Sequence, residues 1–383
     1  MNDRSPNLIS AIAHLEHIQQ SEGREPFSDE EYAAFEEEMM PKLIQGMEYS
    51  EEEAREFLAG IRSTREKMYS RFENPIWLSG AAKLTEKIDA VLADREDSAD
   101  HKKIVFGTLG TGDVNGTAVE FRNPEYQIIV LDDGLFGYAN LLTKAVLMAF
   151  PLIERSPGQF ELSGDRKAIR RRIHDEPKLF ERLAELILNY LVNGNVFAAE
   201  QYYPPMSYVS PIATWLDAME YFVLGHEYGH CRLGHLEKPD RLIPHESFDE
   251  VAVSWQHEYE ADAFGLGVMF DCISDEPYRR RIAYAAVEAF FAGLEIINRS
   301  LARFYDAEPR DEGSPTHPPV AARRKALREA LRSHVDAVEY EASIAYADAV
   351  QEILDIMAPW LDEQIALQRK NNVEFRLHSK WRG

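Results

Sequence analysis

Two cysteines, Cys231 and Cys272, are all that this chain of 383 residues contains. That excludes a disulfide framework and fits a reducing compartment. Long apolar runs are missing too. The nearest segments, 139–153 and 212–225, are short or charged, and a membrane span needs about 18 or more apolar residues. The start, MNDRSPNLISAIAHLEH, has no basic segment followed by an apolar core, so no secretory signal is expected. Basic residues are in deficit: 42 Lys and Arg against 66 Asp and Glu give a formal net charge of −24. A chain this acidic repels phosphate backbones and anionic lipid, so nucleic acid and membrane surfaces are not expected partners. Internal repeats and low-complexity segments are absent. The expected location is the cytoplasm. No feature signals an oligomeric state.

What is present is enough apolar residue, 45%, for a sizeable core in one large domain or two. Residues 28–96 have helical character. Ser28 and Ser50 precede acidic first turns, as N-caps do. A polar stretch, ADREDSADHKK, places a boundary near 97–103. IVFGTLGTGDVNGTAVEF then reads as two short strands around a glycine-rich turn, and YQIIVLDDGLF as a strongly apolar strand. Helical pattern returns from about Leu135. PGQFELSGDR reads as a loop, 173–193 as a helix, QYYPPMSYVSP as a loop, and 212–236 as a helix. A loop at 237–249 and helices at 250–272, 277–305, 320–336 and 340–370 complete the chain. The expected fold class is mostly α with a small β-sheet (α+β).

The chemistry concentrates in LGHEYGHCRLGH, residues 224–235. On a helix, positions four apart share a face. His226 and His230 can therefore bind one metal ion together, while Glu227, about 100° round the helix, can serve a water as general base. That is the logic of H-E-x-x-H, with zinc as the expected ion, one per chain. The competing reading is a solvated helix with incidental histidines. It is weakened by the apolar flank YFVL, because buried histidines need partners. Gly229 costs a helix about 1 kcal/mol, which suggests close packing. Cys231 points away and reads as a packed thiol.

A catalytic zinc takes a third protein ligand. His235 is one residue short of the H-E-x-x-H-x-x-G-x-x-H spacing and reads as a capping or packing residue; His245 is a weaker candidate. HEYEADAFG, residues 257–265, is better. Glu258 and Asp262 share a face, so one can bind metal while the other receives an N–H from a ligating histidine. Glu260 points to the other side, so Glu258 is preferred. Without the upstream histidines this would read as an ordinary acidic helix face.

These elements together resemble the gluzincin metallopeptidases, in particular the family of the CAAX prenyl protease type I and HtpX. The motifs are His226-Glu227-Tyr228-Gly229-His230, then Glu258-Tyr259-Glu260-Ala261-Asp262, then Thr316-His317-Pro318-Pro319 with Arg323. The strand YQIIVLDDGLF, preceded by Asn115-Gly116-Thr117-Ala118, is similar as well. The resemblance covers roughly 104–137 and 212–330. It implies His226, His230 and Glu258 as zinc ligands, Glu227 as base and Asp262 as the group orienting a histidine. It also implies that His317 and Arg323 lie near the site, where they stabilise the oxyanion or bind substrate, and that the strand YQIIVLDDGLF lies over the zinc and pairs with an extended substrate. A competing reading makes 316–319 a cap of the next helix, since Pro suits early helical positions.

The resemblance implies three parts: a helical region 1–100, serving as cover or regulatory segment; a zincin-like metallopeptidase domain 101–337 with an insertion at 138–211; and a C-terminal helix and tail, 338–383. Unlike its membrane namesakes, this chain has no apolar span, so a bilayer-embedded substrate is not expected. Tyr202, Tyr203 and Tyr208 in the insertion are candidates to line the cleft. Cytosolic H-E-x-x-H enzymes, such as phage-exclusion proteases and repressor-cleaving peptidases, are a second likeness. The expected activity is a soluble zinc endopeptidase acting on a narrow set of proteins or peptides. The alternatives are a zinc-bound pseudo-protease that senses peptides, against which the intact Glu227 argues, and a helical interaction protein with structural histidines.

Overall fold

The computed structural model describes residues 5–46, 49–66, 70–94, 102–236, 248–273, 276–306, 313–314 and 317–374. Most of the boundary expected near 97–103, most of the loop at 237–249 with His245, and Thr316 lie outside these residues. The fold is mostly helical with few strands, in two compact units, Met1–Leu135 and Phe136–Gly383.

Among the described residues the first unit holds four helices, α1 (Pro6–Ser21), α2 (Asp29–Gly46), α3 (Glu51–Glu66) and α4 (Pro75–Ala93), and three strands, β1 (Lys103–Leu109), β2 (Gly116–Val119) and β3 (Tyr126–Asp132). Ser28 and Ser50 cap α2 and α3 reciprocally. Each hydroxyl accepts from the backbone N–H three residues on, at 3.1 and 3.2 Å, and Glu31 and Glu53 accept from the serine N–H groups at 2.8 Å. This is the capping box. Ala11 and Leu15 of α1 pack with Val105, Ile128 and Val130, so α1 and the sheet share a core, while α2 and α3 pack in a cluster of their own around Tyr32, Leu43, Ala54, Leu58 and Ile61. A buried polar knot ties α1 to the sheet as well. Glu73 accepts from Gln19 Nε2 at 2.6 Å, Thr108 N at 2.9 Å and Thr108 Oγ1 at 2.6 Å.

The sheet order is β1-β3-β2, with β1 parallel and β2 antiparallel to β3. This corrects one expectation. Between Ile128 and Leu131, β3 has a neighbour on both sides. A strand has two edges of backbone donors and acceptors, so no substrate peptide can pair there.

Helix α5 (Asp133–Leu147) carries the chain into the second unit. There β4 (Leu152–Ser156) and β5 (Gln159–Leu162) form an antiparallel hairpin, where the sequence suggested a loop. Pro157-Gly158 makes the turn, with Gly158 at φ +76°, a conformation that favours glycine. Most hairpin side chains are exposed, and apolar alternation is confined to the four residues Gln159-Phe160-Glu161-Leu162. Leu162 is held at both backbone groups: its N–H donates to Tyr278 Oη at 2.6 Å and its carbonyl accepts from Tyr346 Oη at 2.8 Å.

Next come α6 (Arg166–Asp175) and α7 (Lys178–Asn193), separated at Pro177, where one helix was expected. Proline cannot supply an interior helical N–H. Helix α8 (Met206–Arg232) starts inside the expected Pro/Tyr loop and contains Pro211; the carbonyl that Pro211 leaves unmatched belongs to half-buried Ser207. Tyr208 is buried and donates to the Phe150 carbonyl at 2.8 Å, and Tyr202 stacks under the Arg182 guanidinium at 3.8 Å. Both are packing residues. Tyr203 is exposed.

Helices α9 (Phe248–Cys272), α10 (Pro277–Phe304), α11 (Val320–Leu331) and α12 (Ala337–Lys370) complete the unit. Its core sets Phe222 edge-on to Phe291 at 5.7 Å and Trp215 against Phe150 at 6.1 Å. Cys231 is a buried thiol that forms no disulfide.

Candidate active site

Helices α8 and α9 approach unusually closely because small residues line their contact. A Cβ on Gly225 would come 3.0 Å from Gly265 Cα, and one on Gly229 3.0 Å from Ala261 Cα. The spacing on each helix, 225/229 and 261/265, makes one smooth stripe per helix. The neighbouring faces then meet above the stripe, and they carry the histidines and carboxylates.

His226 Nε2 lies 3.1 Å from His230 Nε2. Glu258 Oε1 is 3.3 Å from His230 Nε2, and Oε2 is 3.7 Å from His226 Nε2. All three residues offer a ligand atom within 4.8 Å of the others. Bond lengths of about 2.0–2.1 Å in a tetrahedral zinc site separate neighbouring ligand atoms by about 3.4 Å. The donor set and its spacing therefore fit such an ion. Glu258 Oε2 is buried and accepts no hydrogen bond, although Arg323 Nη1 lies 3.2 Å away. A buried oxygen of that kind needs a partner.

Asp262, from the next turn of α9, accepts from His226 Nδ1 at 2.9 Å. This leaves the His226 Nε2 lone pair aimed at the cluster. Arg323, from the first turn of α11, grips Asp262 with two bonds, Nε to Oδ2 at 2.8 Å and Nη2 to Oδ1 at 2.7 Å. Its guanidinium lies 5.0 Å over the Phe291 ring. Arg323 is thus engaged by two carboxylates.

These charges set one another. Burial alone would raise the Glu258 carboxyl, but the His230 hydrogen bond and Arg323 outweigh it and hold it at about 2. Burial also opposes charge on Asp262, yet Arg323 and then His226 keep it well below the usual carboxylate range. The Arg323 guanidinium is pushed up against its own burial by Asp262 and Glu258. Burial works against a charged His226, and the Asp262 hydrogen bond more than offsets it.

Glu227 is 6% exposed and acts electrostatically on His226, Arg323 and His317. His317 Nε2 is 3.8 Å from Glu258 Oε1, and its side chain is 58% exposed. Gly313 has φ +75°, and a Cβ there would stand 2.7 Å from the His317 carbonyl. That carbonyl accepts from Ser314 N at 2.7 Å, and Trp255 Nε1 donates to the Ser314 carbonyl at 2.8 Å.

His235 also belongs to this cluster, beyond the capping or packing part expected of it. Its Nδ1 is 3.1 Å from His230 Nδ1, its Nε2 is 3.1 Å from Glu260 Oε2, and its ring stacks on His257 at 4.1 Å. Burial and the neighbouring His257 hold its pKa down at about 4. Glu260 faces His235 and not the ligand cluster. The sequence signal is Gly234, standing between a helix end and His235.

A family model described as Peptidase U49 matches residues 191–343. The matched segment contains every residue of this cluster, and the match supports a peptidase, a hydrolase acting on proteins or peptides. No curated protein and no solved structure matches the chain.

Proposed function

We propose that the chain is a zinc-dependent endopeptidase of the gluzincin kind, related in its site to the CAAX prenyl protease type I and HtpX family. The observation that carries this reading is the convergence of His226 Nε2, His230 Nε2 and Glu258 at tetrahedral separations, with Glu227 buried beside them. The peptidase-family match over the same residues supports it.

In this reading His226, His230 and Glu258 hold the ion. Zinc, when bound, polarises the scissile carbonyl and acidifies a water. Glu227 accepts the proton of the attacking water and returns it to the leaving nitrogen. Asp262 fixes the tautomer and plane of His226. His317 is exposed enough to meet substrate and donates toward the carbonyl oxygen as its charge develops. Arg323 has two buried carboxylates to balance, so we assign it to holding Asp262 and Glu258 in place rather than to the oxyanion.

The substrate is a protein or peptide, with no nucleic acid partner and no bilayer-embedded target. Among the described residues no helix is long and apolar enough to cross a membrane. A cytoplasmic location and a cover or regulatory role for the N-terminal region belong to the same proposal.

The test is elemental analysis with a peptide-cleavage assay on wild type, Glu258→Ala and Glu227→Gln. About one zinc per chain is expected in wild type, with loss or strong weakening in Glu258→Ala. Glu227→Gln should keep its zinc and lose cleavage. A wild type that takes up no zinc when zinc is supplied, or a Glu227→Gln variant that cleaves normally, overturns the proposal.

A further inference from the structure

The end of α8 is not a simple stop. The His235 N–H donates to the His230 carbonyl at 3.1 Å, across the left-handed Gly234 at φ +75°. A six-to-one bond over a left-handed glycine is the Schellman turn, which brings the second residue past the helix back onto the residue five positions earlier. That contact is usually apolar. Here both positions are histidine, and the side chains meet nitrogen to nitrogen.

The donor and acceptor roles follow by elimination. If His230 Nε2 is to bind a cation, its proton must sit on Nδ1. His235 Nδ1, 3.1 Å away, must then accept, so the His235 proton sits on Nε2. That atom faces Glu260 Oε2 at 3.1 Å, a carboxylate that only accepts. Each of the three residues can take its required form. His257 stacks on His235 with planes 5° apart, which fixes the ring in the plane the relay needs.

We propose that His235 is a positioning residue: with Glu260 behind it, it sets the tautomer and ring plane of His230. The inference rests on the zinc reading above and extends it to a second support, independent of the Asp262–Arg323 pair that holds His226. One ligating histidine is secured by an ionised carboxylate on the neighbouring helix. The other is secured by a neutral imidazole from its own helix end.

The experiment compares zinc affinity, by competition with a chromogenic chelator, in wild type, His235→Ala, His235→Asn and Glu260→Ala. It is paired with nitrogen-15 correlation spectra of the histidine rings in the zinc-loaded proteins. His235→Ala should weaken zinc binding about tenfold, the lower range for losing a group behind a ligand, and the His230 ring should lose its single-tautomer signature. Glu260→Ala should weaken binding in the same direction and by less. His235→Asn offers an amide oxygen near the place of Nδ1 and should restore most of the loss. Equal affinity in all four proteins overturns the inference, as does a His235→Asn variant no better than His235→Ala. If His235→Ala does not fold, Glu260→Ala decides, because that side chain is 45% exposed and its removal leaves the core intact. A wild type without zinc affinity instead sinks the metal reading beneath.

Discussion

Gly265 of α9 lies directly against the backbone of His226: a Cβ added there would stand 2.8 Å from His226 N and 2.7 Å from Phe222 O. Those atoms cannot be approached so closely, so Gly265→Ala must push α8 and α9 apart. Overpacking of this kind costs about 1–3 kcal/mol. The same displacement carries Glu258 away from the histidines. We expect a lower midpoint in urea unfolding together with weaker zinc binding. Unchanged unfolding and unchanged binding would show that the stripe is not what sets the helix spacing.

Arg323 is the cation between Asp262 and Glu258. Arg323→Ala leaves two carboxylates in a buried site, and removing one partner of a buried pair costs about 3–5 kcal/mol. A zinc ion held by His226, His230 and Glu258, as proposed, would supply positive charge to the same carboxylates. The destabilisation should therefore be smaller in zinc-saturated protein than in zinc-free protein. Equal losses in the two states, measured by chemical denaturation, would count against this electrostatic account.

His317 has a different character, being exposed and only 3.8 Å from Glu258 Oε1. Its replacement by alanine should leave fold and zinc content unchanged. If it contacts the developing oxyanion, kcat should drop about a hundredfold or more. A variant with normal kcat would make the 317–319 segment a helix cap and nothing further.

In the first unit, burial pushes the Glu73 carboxyl up to about 7, from an ordinary value near 4.5, despite its hydrogen bonds from Thr108 and Gln19. A folded pKa above the unfolded one means that the folded state holds the proton more tightly. Stability from this group is complete below about pH 4.5 and falls as pH rises toward 7. Two and a half pH units correspond to about 3 kcal/mol at most. Wild type should lose stability relative to Glu73→Gln across this window, in thermal melts at matched ionic strength. A difference independent of pH would mean that Glu73 stays ionised in its knot.

The mostly helical fold class and the grouping of His226, His230 and Glu258 were legible in the sequence, and the contact that brings their helices together was not. H-E-x-x-H and the Glu258/Asp262 pair are local patterns, and their spacing on a helix already dictates which atoms share a face. What could not be read was which small residues bring two helices together. Gly225, Gly265 and Ala261 gain their meaning only from a partner about 32 to 40 positions away. The β4–β5 hairpin escaped because Leu162 is the one buried residue of its two strands, and its hold comes from two distant tyrosine hydroxyls. Pro211 misled in the opposite sense. A proline near a helix start is tolerated when water can serve the carbonyl it leaves unmatched, and exposure is invisible in sequence.

The order of synthesis adds a consequence to the place of Arg323 in the chain. His226, His230, Glu258 and Asp262 all leave the ribosome before it. Until α11 has emerged, Asp262 and Glu258 have no guanidinium between them, and the acidic pair resists burial. The anchoring of Leu162 by Tyr346 waits longer still, across a separation of 184 residues. A nascent chain grows at about 5–20 residues per second and folds by whole units. The candidate site is therefore completed only after α11 has emerged, and a chain interrupted before Arg323 lacks it.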